Sequence, residues 1–147
     1  MAWLSGGWGK RIEITQSGTN VASDLEWFPV PLFINSAAGT GDDDVATPIF
    51  AELGTASTKL AVTLADGTTE LYVEIEQWTY NAGTVADSEA VLWVSKTGED
   101  TLLAAGGTFY IYYDSSHADS DGGGTAGNKV GDIADGSDYI EIGRAHV

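Results

Sequence analysis

The sequence predicts an all-β fold: an antiparallel two-layer β-sandwich, jelly-roll-like, with a Gly/Asp-rich C-terminal linker. Three observations carry the prediction. Short segments of alternating apolar and polar residues recur along the chain, and clusters of turn-forming residues separate them. No stretch sustains a helical repeat. About seven such segments in one domain-sized chain fit the strand number and spacing of a sandwich.

In order, the predicted strands are residues 10–16, 28–35, 48–53, 59–64, 70–78, 90–96 and 108–114. In the first, Ile12 and Ile14 oppose Arg11, Glu13 and Thr15. "PIFAEL" is read as a short strand after the acidic loop "GDDD". "LADGTTELYVEI" reads as a hairpin, because Asp-Gly supplies the positive φ angles of a tight turn. In residues 70–78 the core face takes Leu71, Val73 and Ile75, leaving Tyr72, Glu74, Glu76 and Trp78 on the other. In 108–114, Phe109, Ile111 and Tyr113 oppose Tyr110 and Tyr112. The pattern then dissolves into "SSHADSDGGGTAGN", which has the composition of a linker.

Six Lys and Arg stand against 22 Asp and Glu, a formal net charge of -16. Such a field repels phosphates and anionic headgroups, which excludes nucleic acid as a partner. It suits divalent cations and neutral glycans. No run of about 18 apolar residues offers a membrane span. The start, "MAWLSGGWGKRIEIT", lacks the basic and apolar regions of a signal peptide. With no cysteine, disulfides and thiol chemistry are excluded.

Candidate sites follow from the faces. Tyr72, Glu74, Glu76, Trp78, Tyr110 and Tyr112 make an aromatic and acidic set, and with Trp93 their flat rings could stack on a sugar. Glu74 and Glu76, two apart on a strand, lie about 6.5–7 Å apart at the backbone. That spacing falls within the range of glycosidase carboxylate pairs, though one exposed strand face explains them as well. Asp42, Asp43 and Asp44, together with Asp119 and Asp121, are the oxygen-rich loop residues that could hold calcium; no other cofactor is indicated. Ser115, Ser116 and His117 are contiguous, and consecutive turn residues seldom form a nucleophile–base pair. "DGGGTAGNK" lacks the ending of a phosphate loop.

Several segments, in order, resemble one family. They are "GGWGKRIEIT", "LEWFPVPLFI", "GDDDVATPIF", "LYVEIEQW", "AVLWVSK" and "GTFYIYYDSSHADS". Together they resemble the family called domain of unknown function 2341, over roughly residues 3–121. The resemblance implies a β-sandwich module of phage tail or bacterial surface proteins, often preceding a concanavalin A-like lectin domain. It implies no catalytic residues. The chain departs from the family pattern at Gly6–Gly7, where a glycine is inserted, and at Gly131, where relatives carry tryptophan.

The ending "EIGRAHV" is what the codons GAG ATC GGA AGA GCA CAC GTC encode, and these resemble a short-read sequencing adapter. The expected division is therefore a β-sandwich at 1–116, a linker and the start of a truncated following domain at 117–140, and adapter read-through at 141–147. The sequence-level expectation is a non-catalytic structural or adhesion module of a virion or extracellular surface. Its partners would be other virion or surface-protein domains, and a glycan. The competing expectations are a carbohydrate-binding module in its own right and, third, a glycoside hydrolase using Glu74 and Glu76.

Overall fold

A computed structural model describes residues 2–16, 25–26, 29–95, 101–103, 107–118 and 129–132. The strands are β1 (Lys10–Thr15), β2 (Leu25–Glu26), β3 (Val30–Ile34), β4 (Leu60–Leu64), β5 (Glu70–Thr79), β6 (Glu89–Ser95), β7 (Thr101–Leu103), β8 (Thr108–Tyr113) and β9 (Val130–Asp132). A helix, α1 (Ala46–Leu53), lies between β3 and β4.

Six strands follow one hydrogen-bonded path, β1-β8-β4-β5-β6-β3, and every neighbouring pair in it is antiparallel. The mostly β, antiparallel class is as expected. The path is continuous through β5, which pairs with β4 at Glu70 and Leu71 and with β6 from Tyr72 onward. The sheet curls on itself: Ile12 and Ile14 at one edge, and Val30, Leu32 and Ile34 at the other, pack into the same core. From the strands between, Leu60, Val62, Val73, Ile75, Leu92, Val94, Phe109 and Ile111 join them. Strands β2 and β7 pair with each other apart from this path.

One expectation needs correction. Residues 48–53 are not a strand but the body of α1, so the chain does contain a helix. Asp44 Oδ1 accepts the Thr47 N–H at 2.9 Å, satisfying one of the free donors at the helix start. Pro48 sits in the first turn, where its missing N–H costs no helical bond. Ala46, Ile49, Phe50 and Leu53 are buried at the i, i+3, i+4, i+7 spacing of one helical face. Gly54, at φ 54°, ends the helix and donates its N–H to Phe50 O at 2.8 Å.

One more strand, β9, lies within 117–140, the stretch expected to hold a linker and the start of a following domain. Val73 N–H bonds Lys129 O at 2.9 Å, and Val130 to Asp132 run parallel to Val73–Ile75. Strand β9 occupies the side of β5 that β6 leaves free, beyond the short pairing with β4. Val130 is fully buried there.

The β4–β5 hairpin forms where "ADGTT" placed it, by partly different means. Of the Asp-Gly pair only Gly67 has a positive φ, 73°. Asp66 works through its side chain, whose Oδ1 accepts the N–H groups of Thr68 and Thr69 at 2.9 and 2.8 Å. Partial desolvation pushes the Asp66 carboxyl up, but a bond from the Thr69 hydroxyl, joined by these two N–H bonds, holds it below its usual range. A side chain at position 67 would meet Ala2 O at 2.5 Å, so glycine is required by space as well as by φ.

Candidate functional site

The outward face of the sheet divides into two regions. Over β1, β8 and β4 it is closed by the chain's own N-terminal segment: Leu4 and Trp8 are buried against Ala61, Tyr110 and Tyr112. Arg11, opposite Tyr112 in the register, has its guanidinium carbon 4.4 Å from the Trp3 ring centroid and 4.3 Å from that of Tyr110. The Tyr112 hydroxyl donates to Gly67 O at 2.9 Å and accepts from Arg11 Nη1 at 2.8 Å and Leu4 N–H at 3.3 Å. Tyr110 donates its hydroxyl proton to Glu13 at 2.9 Å, which raises the phenol above its usual pKa. Both tyrosines are buried and act as packing and hydrogen-bonding residues.

Over β5, β6 and β3 the outward face is barer. Register places Tyr72 opposite Ser95, Glu74 opposite Trp93, Pro31 opposite Trp93 from the other side, and Phe33 opposite Val91. Glu74 is buried, whereas Glu76 is exposed and accepts the Trp93 indole N–H. Lys129 Nζ sits 4.8 Å from the Tyr72 ring centroid. Phe33 is 59 % exposed.

The predicted set is therefore dispersed. Tyr72, Glu74 and Glu76 share one region, and Tyr110 and Tyr112 lie under the N-terminal segment across β4. Trp78 is on the other face, contrary to strict alternation. Ile75 opposes Leu92 and Gln77 opposes Val91, so Glu76 is the extra residue of a β-bulge. After it Gln77 points outward and Trp78 turns to the core, 4.6 Å from Phe50 and donating its indole N–H to Gly54 O at 2.9 Å. Glu74 and Glu76 consequently differ in burial and are not a matched pair. The exposed aromatic on this surface, Phe33, was absent from the predicted set. Its signal was the alternation of "VPLFI", in which three apolar residues face inward and Phe33 faces out.

The acidic loops and the exit turn have local roles. Asp42 adopts φ 52°, Asp43 exchanges backbone bonds with Ala38, and Asp44 accepts the Thr47 N–H at the start of α1. The side-chain and backbone bonds from Thr47 hold the Asp44 carboxyl below its usual range. Among the described residues no three His, Cys, Asp or Glu side chains converge as metal ligands would. Asp119 and Asp121 lie outside the described residues. In the exit turn, Asp114 accepts from Gly9 N–H at 2.8 Å and from the Ser116 N–H and hydroxyl, the latter bonds lowering its pKa. His117 stacks on Trp8 with centroids 3.7 Å apart.

Glu52 on α1 forms a tight polar node. One carboxylate oxygen takes Lys10 Nζ, and the other takes the Ser115 N–H at 2.9 Å and its hydroxyl at 2.5 Å. The lysine, then the serine, hold this carboxyl at about 2. It joins β1, α1 and the turn after β8.

No protein family, curated protein or solved structure matches the chain. No described helix is long and apolar enough to cross a membrane.

Proposed function

We propose that this chain is a structural or adhesion module of a phage virion or surface protein, which positions a receptor- or glycan-binding neighbour. The observation that supports this reading is how the outward aromatics are used. Tyr110, Tyr112, Trp8 and Arg11 are engaged in fastening the N-terminal segment to the sheet, and Trp78 in seating the helix. A carbohydrate-binding face of its own would keep such rings free on one surface. The one exposed member of the carboxylate pair is held by an indole, which suits a rigid strand better than a general acid or base.

The test is genomic and then biochemical. The gene should be sequenced in its native genome across the codon for Ile140 and into its neighbours. The module reading expects the frame to continue into another β-rich domain among virion or surface-protein genes. A stop codon directly after the present ending, in an operon of metabolic enzymes, would remove it.

A further inference from the structure

The outward region over β3, β6 and β5 has features that the proposed architectural role does not use. Phe33 is 59 % exposed in the middle of a strand, where an aromatic ring is normally covered. It stands opposite Val91, two residues from Trp93 on β6, so Phe33 and Trp93 are diagonal neighbours within reach of one bound group. Carboxylates border the rings. Glu76 is pinned by the Trp93 indole N–H, and Glu89 accepts Gln77 Nε2 at 2.7 Å. Part of their acceptor capacity is thus spent within the protein, while their charge remains.

Elsewhere in this chain aromatic faces are occupied by cations. Arg11 lies between Trp3 and Tyr110, and Lys129 lies over Tyr72, on the same outward region as Phe33. A cation over an aromatic face gains from the ring quadrupole, and more so beside carboxylates. The chain itself has only six Lys and Arg against 22 Asp and Glu. A further cation for this surface is therefore best supplied from outside.

We propose that the surface around Phe33 and Trp93 docks a cationic segment of a neighbouring protein, bearing arginine or lysine beside apolar residues. Charge complementarity selects this occupant. A second copy of the chain would bring another net charge of -16 against the first. Pro31, in the edge strand β3, also removes a donor that strand-to-strand pairing between copies would need. Nucleic acid and anionic lipid are repelled by the same field.

The test uses the full chain and calorimetric titration with a synthetic Arg-Phe-Gly repeat peptide. The same peptide with glutamate for arginine, and neutral cello-, xylo- and chito-oligosaccharides, complete the panel. Saturable binding of the basic peptide alone is expected. Phe33→Ser and Glu89→Gln should each weaken it about tenfold. Asp42→Asn, which removes a charge from the loop between β3 and α1, should leave it within about twofold. Phe33 is exposed, so its substitution does not threaten the core. Equal weakening by Asp42→Asn and Glu89→Gln, with no effect of Phe33→Ser, would reveal a diffuse field and overturn the site. Oligosaccharide binding that Phe33→Ser abolishes would overturn it in favour of a sugar platform. Neither result would bear on whether the gene lies among virion genes, so this surface and the architectural role fail separately.

Discussion

At the residue scale, Tyr112 shows how one side chain can be read correctly for position and wrongly for purpose. Alternation in "TFYIYY" places Tyr110 and Tyr112 on the face opposite Phe109 and Ile111, and there they lie. Alternation is blind to what covers that face, because the covering residues, Leu4 and Trp8, come from the other end of the chain. The Tyr112 hydroxyl joins the N-terminal segment, β1 and the β4–β5 hairpin through Leu4, Arg11 and Gly67. Tyr112→Phe keeps the ring but leaves those buried partners without it. Losing a buried hydroxyl of this kind costs about 1–3 kcal/mol. Urea unfolding should show that loss for Tyr112→Phe and a smaller one for Tyr110→Phe, whose hydroxyl partner Glu13 is exposed. An equal loss in the two variants would mean that the ring packing, not the hydroxyl network, secures the segment.

At the scale of elements, Glu52 is the joint to probe, because one carboxylate ties β1, α1 and the exit turn together. Its carboxyl is held at about 2 in the folded protein against an ordinary value of 4.5. A carboxylate depressed by folding adds stability that is fully present above the ordinary value and is lost as pH falls toward the depressed one. Unfolding measured from pH 7 to pH 2 should therefore show Glu52→Gln least stable relative to wild type at neutral pH. The gap should close between about pH 4.5 and 2. A constant gap would show that shape, rather than charge, makes the joint. Four of the elements around it were legible: the strands near 10–16, 59–64, 70–78 and 108–114 all formed within a residue or two of their predicted ends. The helix was not, although its signs were present in Asp44, Pro48 and Gly54. A six-residue segment does not distinguish strand from helix by periodicity alone, and Asp44, whose side chain meets the helix start, sits in a run of three aspartates that reads as an acidic loop. The bulge at Glu76 left no comparable mark, since "LYVEIEQW" alternates just as well with or without an extra residue. Strand β9 was hidden for another reason: three residues in a glycine-rich stretch carry too short a pattern to read, and its parallel partner is far away in sequence.

For the whole molecule, the decisive quantity is the net charge of -16, and it was legible from composition alone. Most of those charges have no oppositely charged group to face, because acids outnumber bases 22 to 6. Compaction brings them closer together, so self-repulsion opposes the folded state. Added salt screens this repulsion over a Debye length of about 10 Å at 0.1 M. It also weakens the Lys10–Glu52 ion pair, which is partly exposed. The two effects oppose each other, and their numbers decide the sign: many unpaired like charges against few local pairs. The melting temperature should rise as sodium chloride increases from low millimolar to about 0.5 M, with most of the gain below about 0.2 M. Calcium chloride at matched ionic strength then separates screening from binding. An equal rise with either salt assigns the effect to the field as a whole. A larger rise with calcium, reversed by chelator, would place a bound ion among the Asp-rich loops, where Asp42, Asp43 and Asp44 by themselves do not converge. A fall in melting temperature with sodium chloride would mean that the few ion pairs outweigh the field. The Lys10–Glu52–Ser115 joint would then be the main electrostatic support of the fold.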